Sequence, residues 1–344
     1  MTEGHSIQTN NSNASASAFG WEFQRNAAIF LMLKNIKSAN TVRVEGGTED
    51  IEISLDNGKT IYSQAKSIEN INSTSNVSDK LQEALRTLNN ASQNDNVEKL
   101  IYITNIPNPL NDARSKPLFG IGGCSNIKFS DLPDVSQRKV NRIIQNRHYT
   151  IDTNDLSIIV IPFFGENEDN RYKHIKEEVS NFLQTCNIQD ISAPQQIMKI
   201  WQNDFFVNST ISDLRFKIKK QEMVWAIIAH LCSFDRCRSD VILENCDEAM
   251  IFEIERNYSA IINNKAEDFQ FFNKVLNDFN QYGLELRMTD RKSKFINEQW
   301  KQYENHFGID NLDPEVKDCL IKLIIKKIID IRYITDQIKK GAGL

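Results

Sequence analysis

The sequence predicts an α/β N-terminal domain, with a central mixed sheet flanked by helices, followed by an all-α C-terminal domain. Three observations carry that expectation. Up to about residue 190, apolar stretches at helical spacing alternate with short β-branched runs, in the order helix, three strands, helix, strand. From residue 193 onward the strand signal nearly disappears. The 344 residues also suffice for two domains of ordinary size with buried cores.

Residues 1–17, rich in Asn, Ser, Thr and Ala without periodicity, read as a disordered leader, and order is expected to begin near Phe19. Apolar positions including Ala28, Ile29, Leu31 and Ile36 predict a largely buried helix over 21–37, with Glu22 and Gln24 in its first turn. Residues 41–45 form a short strand ending in Glu45, and Gly46-Gly47 breaks it. Residues 50–66 then alternate apolar and polar side chains around Asp56-Asn57-Gly58, which signals a β-hairpin.

Two hairpin registers are open. An Asn57-Gly58 two-residue turn pairs Leu55 with Thr60 and mixes apolar and polar residues on each face. A three-residue loop with Gly58 left-handed pairs Leu55 with Lys59 and Asp50 with Gln64. The second sorts the faces, with Ile51, Ile53, Leu55 and Ile61 on one side and Asp50, Glu52, Gln64 and Lys66 on the other. A one-residue slip would flip every side chain, so the sorted register is expected.

That register gathers a carboxylate, an amide oxygen and an ammonium. Mg²⁺, or Mn²⁺ in its place, takes hard oxygen ligands and keeps several waters, which Asp50 and Gln64 suit. Lys66 could orient a water or stabilise charge on a pentavalent phosphorane. Glu45, emerging at a strand end beside the hairpin, suits a metal ligand or a positioner of water. The alternative is an exposed polar hairpin face and a solvated strand-end acid.

Asp50, thirteen intervening residues and Gln64-Ala65-Lys66 together resemble the PD-(D/E)XK nuclease core in its Gln-x-Lys variant, as in Mrr-like restriction endonucleases. With Gly20-Trp21-Glu22-Phe23-Gln24, Val44-Glu45 and Glu49-Asp50 added, residues 18–70 are similar to the double-stranded DNA endonuclease domain of CBASS antiphage effectors, the CD-NTase-associated nucleases. The resemblance implies a restriction-endonuclease-like fold and a role near the metal and DNA for Glu22 or Gln24. For Glu22 the alternative is an acid complementing the helix dipole. Gln64 departs from the usual acidic residue, so the site carries less negative charge and Glu45 or Glu22 would complete it.

Beyond the hairpin, Ser78-Asp79 opens a helix through Leu81, Leu85 and Leu88, and residues 100–104 read as a central, doubly covered strand. Four prolines and Gly120-Ile121-Gly122-Gly123 make 107–135 a long irregular insertion. That glycine run lacks the Gly-Lys-Ser/Thr ending of a phosphate loop. Residues 137–148 carry Arg138, Lys139 and Arg142 with no acid between Asp134 and Asp152. A helix would bring Arg138 and Arg142 to one face, for phosphate contact or simply for solvent. A strand over 156–164 and a helix over 171–183 extend the nuclease domain to about residue 190, leaving 191–344 as a helical regulatory or oligomerisation domain. Its last helix, 314–340, starts with Asp313 as cap and Pro314 at the first position, and carries a broad apolar stripe through Val316, Leu320, Ile324, Ile328 and Ile331. That stripe serves packing within the domain or self-association.

The net charge of −5 excludes a global positive field, so DNA contact has to come from local patches. Without an eighteen-residue apolar run or a signal-peptide pattern, a cytoplasmic protein without a membrane partner is expected. Among the cysteines only Cys232, Cys237 and Cys246 cluster, and zinc there would need His230; reduced thiols are the simpler reading. The expected function is metal-dependent cleavage of double-stranded DNA by an antiphage effector. The helical tail and missing phosphate loop suggest activation by homo-oligomerisation or by a partner, an ATPase or translocase subunit or a nucleotidyltransferase system. A catalytically silent DNA-binding or scaffolding subunit is the alternative.

Overall fold

The computed structural model describes residues 14–72, 76–120, 122–262 and 265–344. The chain divides into two compact units, one of residues 1–178 and 202–217, the other of 179–201 and 218–344.

The first unit opens with α1 (Ala14–Lys34), so residues 14–17 are helical rather than part of a leader, while 1–13 lie outside the described residues. Alternating Ala and Ser are adequate helix formers, and the Ser15 hydroxyl donates to Glu69 at 2.8 Å. From Phe23 to Leu33 most of α1 is buried, consistent with its lack of a polar face. Next come β1 (Ala39–Val44), β2 (Ile51–Leu55) and β3 (Thr60–Lys66), an antiparallel meander against which α1 packs.

The chain returns through α2 (Val77–Ala91) to β4 (Val97–Thr104), which is parallel to β3. Then follow β5 (Ser125–Lys128), α3 (Asp134–Asn146) and β6 (Leu156–Val160), the last parallel to β4. Within this unit the strand order is β5-β6-β4-β3-β2-β1. One face of the sheet buries Tyr62, Tyr102 and Ile158 under Leu85 of α2 and Val140 of α3. The alternate residues Ile61, Ile101, Ile103 and Ile159 are buried on the other face, so the central strands are covered twice.

Two differences from the sequence reading have local causes. The supposedly irregular 107–135 segment contains β5, antiparallel to β6; four residues of half-exposed edge strand are too short to show alternation. The stretch 202–217 joins the sheet unit because Arg43 of β1 is 2% exposed and donates to the backbone carbonyls of Asn208 (2.7 Å), Phe216 (3.0 Å) and Ile211. Asn208 in turn accepts from the Val44 N–H at 2.9 Å. A buried guanidinium needs its donors satisfied, and carbonyls do so here without a carboxylate.

After α4 (Glu168–Arg171) and α5 (Lys173–Thr185) the chain is largely helical: α6 (Ala193–Thr210), α7 (Lys220–Leu231), α8 (Glu248–Ile262), α9 (Lys265–Gln281), α10 (Met288–Gln299), α11 (Pro314–Asp330) and α12 (Arg332–Ala342). Asp313 caps α11 as expected, accepting from the Glu315 N–H at 2.9 Å. The helix predicted over 314–340 breaks at Ile331. Its apolar stripe is buried within this unit, where α11 packs on α8, α9 and α10. Packing, not an open apolar face, is what the stripe serves.

The cysteines are free thiols. Cys232 and Cys237 are buried, Cys246 instead neighbours Cys319, and His230 faces Asp190 and Arg236, so the suggested zinc set does not assemble.

Candidate active site

The hairpin adopts the register that sorts its faces: Ile51 faces Ser63, Ile53 faces Ile61, and Ser54 faces Thr60. The Leu55 N–H donates to the Lys59 carbonyl at 2.8 Å, and the Gly58 N–H to the Leu55 carbonyl at 3.1 Å. Gly58 sits at φ +82°, the left-handed conformation that a three-residue loop requires. The consequence appears one step beyond β2. Asp50 Oδ2 accepts from the Gln64 side-chain amide and, at 3.0 Å, from the Ala65 N–H.

The turn joining β1 to β2 completes the group. The Glu45 N–H donates to the Asp50 carbonyl at 2.8 Å and the Gly46 N–H to the Glu49 carbonyl at 2.9 Å. Glu45 itself has φ +54°, an unfavourable conformation for a residue with a Cβ. Glu52 holds the turn from β2, its Oε1 accepting from the Thr48 N–H at 2.8 Å and the Glu49 N–H at 3.3 Å. From α1, Gln24 Nε2 donates to Glu45 Oε1 at 2.8 Å and to the Asp50 carbonyl at 3.0 Å. Gln24, Glu45, Asp50 and Gln64 therefore form one connected set, although they come from α1, the β1–β2 turn and β3.

Lys66 continues β3 on the Gln64 face and pairs with Glu83 of α2 at 3.1 Å. The Gln64 amide is bonded at both ends, since its Oε1 accepts from the Thr87 hydroxyl of α2 at 2.7 Å. In this arrangement the amide offers Asp50 an N–H. Turning it over would bring two oxygens together, a geometry that a cation between them would favour.

Sequence reasoning missed the most informative member. Glu49 is 4% exposed, and among the described residues neither of its carboxyl oxygens has a hydrogen-bond partner. The nearby Thr87 hydroxyl, which lowers the Glu49 pKa, has its shortest contact with Gln64 Oε1 and a second acceptor in the Ala84 carbonyl. Burial, reinforced by the charge of Asp50, pushes the Glu49 carboxyl up to about 8. Burial likewise pushes Asp50 up to about 6, against the Ala65 N–H, which favours its charged form. Glu49 escapes strand-alternation logic because it sits in the turn, where backbone direction rather than period two aims the side chain. The Glu49-Asp50 pair was the available signal.

The remaining sequence candidates separate. Because α1 starts at Ala14, Glu22 and Gln24 lie well inside the helix and not in its first turn; Glu22 is tied to Arg171 at 2.8 Å and to the Tyr172 hydroxyl, so of the two only Gln24 reaches the Asp50 set. On α3, Arg138 and Arg142 are exposed one turn apart, but Lys139 donates to the carbonyls of Leu110 (2.6 Å) and Asn111 (3.4 Å). Its ammonium closes a loop and is not displayed with the two arginines.

Among the described residues, no group of three or more His, Cys, Asp and Glu side chains is assembled to hold a metal ion. What the site offers is two adjacent carboxyl groups and an amide that here presents its N–H to Asp50 and its oxygen to Thr87. The residues fit a divalent cation on one ground: both Glu49 oxygens are buried without a hydrogen-bond partner among the described residues, in a carboxyl that burial keeps protonated up to about pH 8 and that a cation would draw into its charged form.

A mixed sheet flanked by helices, with a largely helical second unit, is thus the class of architecture, and a turn-and-hairpin acid cluster is its candidate site. No family model and no curated protein matches the chain. Two solved structures are similar at 15% identity and TM-score 0.38 over 65% of this chain: an Acinetobacter baumannii Cap4 SAVED/CARF-domain containing receptor with the cyclic trinucleotide 2'3'3'-cAAA, and the same receptor with 3'3'3'-cAAA. The chain spans 47% of that receptor's length. A likeness this slight carries no argument about the site. No helix among the described residues is long and apolar enough to cross a membrane.

Proposed function

We propose that the chain is a metal-dependent endonuclease that hydrolyses phosphodiester bonds of double-stranded DNA. The observation that carries the reading is Glu49: a carboxylate buried without a partner, beside an Asp50 that the hairpin register holds against Gln64. The helix, three-strand meander, helix and parallel-strand order, with Gln64-Ala65-Lys66 on the third strand, supports the resemblance to the PD-(D/E)XK core.

In this reading Asp50, Glu49 and the Gln64 oxygen hold Mg²⁺ or Mn²⁺, and Glu45, fixed by Gln24, orients a water. A bound cation of this kind supplies Lewis-acid polarisation of a phosphoryl oxygen. Lys66 neutralises the negative charge that develops on the phosphoryl oxygens, exchanging Glu83 for the substrate. Arg138 and Arg142 contact backbone phosphates without reading sequence.

The role that follows is that of an antiphage effector whose cutting awaits homo-oligomerisation or a partner subunit, an ATPase or a nucleotidyltransferase system. The Lys66–Glu83 pair supports such a resting state, because it occupies the ammonium that a substrate would need. The same pair, with Gln64 presenting an N–H to Asp50, is also what a catalytically silent DNA-binding subunit would show.

Plasmid incubated with the chain in Mg²⁺ or in chelator, with candidate partners added, separates the two. Nicking or linearisation that requires Mg²⁺ and disappears in Asp50→Ala is the expected result. DNA left intact in every condition, yet retarded on a gel by the protein, would establish the silent subunit instead.

A further inference from the structure

Beside the Asp50 set lies a cavity of about 460 Å³ that the metal site does not use. Its walls are the outer face of α1, the end of β1 and the last turns of α6, all within the sheet unit. The volume falls in the range of pockets that take a small organic ligand, roughly 300–1,000 Å³. Three features say what kind of ligand.

The first is aromatic surface. Trp21 is 65% exposed and Phe206 46% exposed, and both line the cavity. Large rings left in water beside a polar site are what a planar ligand would cover.

The second is a donor without an acceptor. Arg25 stacks its guanidinium on the Phe206 ring, 5.0 Å from the centroid, and its Nε is buried with no hydrogen-bond partner. The Nε is closed off from the cavity while the guanidinium lies on Phe206, so a base would meet it only as Arg25 lifts from the ring, and the ring nitrogens and carbonyls of a nucleobase are the acceptors that would then satisfy it. The third is position. Gln24 and Glu45 line the same cavity, so its occupant touches the residues that the proposed nuclease uses at the scissile phosphate.

We infer that this cavity is a nucleobase pocket, in which an unpaired base of the DNA strand being cut stacks on Trp21 and presents an acceptor edge to Arg25. The inference rests on the nuclease reading and adds to it a preference in the substrate: DNA with a base free to leave the stack, at a mismatch, a nick or an end. Extruding a base costs least at such places. Stacking on an aromatic side chain tolerates any base, so no sequence motif is implied.

The test starts without chemistry. In chelator, calorimetry compares binding of deoxyadenosine 5′-monophosphate with that of deoxyribose 5-phosphate, for the full chain and for Trp21→Ala and Trp21→Phe. The expected result is that the base tightens binding by about ten-fold or more, that Trp21→Ala removes this advantage, and that Trp21→Phe retains most of it. Because Trp21 is exposed, neither variant threatens the fold, and circular dichroism verifies that. Equal binding of the two probes, or a base advantage indifferent to Trp21→Ala, overturns the pocket.

The second arm tests the assigned occupant. On a duplex with one mismatch, Trp21→Ala is expected to raise KM more than it lowers kcat, and to narrow the preference for mismatched over fully paired DNA. A chain that binds the mononucleotide through Trp21 but cuts both duplexes with unchanged KM overturns the assignment to the substrate strand, in favour of a free nucleotide. A chain that cuts DNA yet shows no base-dependent binding loses the pocket and keeps the nuclease. One that binds the base through Trp21 but never cuts, with partners present, loses the nuclease reading, and the substrate-strand assignment falls with it.

Discussion

The Glu49-Asp50 turn of the sheet unit and two acids of the helical unit are held in opposite ways. In the sheet unit, Glu49 is enclosed without a partner and Asp50 meets only neutral donors, the Gln64 amide and the Ala65 N–H. In the helical unit Asp240 and Asp190 have cations. Asp240 accepts from Lys326 through both oxygens at 2.6 Å while also capping the turn at Ile242, and Asp190 pairs with Arg236 and bonds Ser192. The pKa directions follow, with Glu49 and Asp50 pushed up by burial and Asp190 held well below the carboxylate range by its hydrogen bonds to Ser192 and Arg236. One unit is built to be stable as it stands. The other encloses a carboxyl that burial keeps protonated up to about pH 8 and that no donor among the described residues meets.

The sharpest way to break that contrast is at Lys66. If the sheet-unit cluster is catalytic, Lys66→Ala lowers the rate of plasmid cleavage by ~10²-fold or more, while thermal unfolding changes little, since Lys66 loses only a half-exposed pair with Glu83. Undiminished cutting would remove Lys66 from the site.

Glu49→Gln comes next, and it separates the units by sign. Replacing an unpartnered buried carboxylate with an amide is expected to stabilise the metal-free protein by about 2–4 kcal/mol at pH 8, measured by urea unfolding in chelator. It is also expected to weaken Mg²⁺ binding, measured by calorimetry. The pH dependence works out as follows from the raised value. The folded state holds the Glu49 proton to about pH 8, whereas the unfolded chain releases it near 4.5, so the folded state binds more protons between those limits. The contribution is present below about pH 4.5 and is lost as pH rises toward 8. Asp190, with its lowered value, runs the other way: its stabilisation is present above the ordinary carboxylate range and is lost on acidification. Hydrogen exchange followed by unit should show opposite slopes. Identical slopes would mean that Glu49 reaches water.

Much of this was legible in the sequence. The alternation of residues 50–66, weighed against the two available turns, fixes the register that sets Asp50 against Gln64, because only one register buries Ile51, Ile53 and Ile61 together. The helical character of the C-terminal half was equally plain. Less legible were features that depend on long-range partners. Arg43 reads as an ordinary strand residue, yet its acceptors lie about 165 residues away in 202–217. Nothing local distinguishes Lys139, which binds carbonyls, from its exposed neighbours Arg138 and Arg142. Glu49 is hidden for a third reason: turns obey no period, so the direction of a turn side chain has to be seen.

In the helical unit, Lys326→Met leaves Asp240 with its cap but no cation. The pair is partly exposed, at 21% and 16%, so the expected loss is about 1–2 kcal/mol rather than that of a fully buried pair. The sign is opposite to that of Glu49→Gln. A gain in stability from Lys326→Met would dissolve the contrast between the units.

The smallest expected effect tests how the acid turn is held open. A Cβ on Gly46 would clash with the carboxyl carbon of Glu52, the side chain that accepts from the Thr48 and Glu49 N–H groups. Gly46→Ala therefore displaces the brace of the turn, not the backbone of the sheet, and because Glu52 can swing toward solvent the stability change is expected near ~1 kcal/mol. Its effect on Mg²⁺ affinity should exceed its effect on unfolding, since Glu49 and Asp50 lie immediately downstream of the brace. Glu52→Gln keeps an acceptor in place and should retain most of the affinity. If Gly46→Ala and Glu52→Gln lower Mg²⁺ affinity equally, the charge of Glu52 belongs to the binding set, and Glu52 is a ligand rather than a brace.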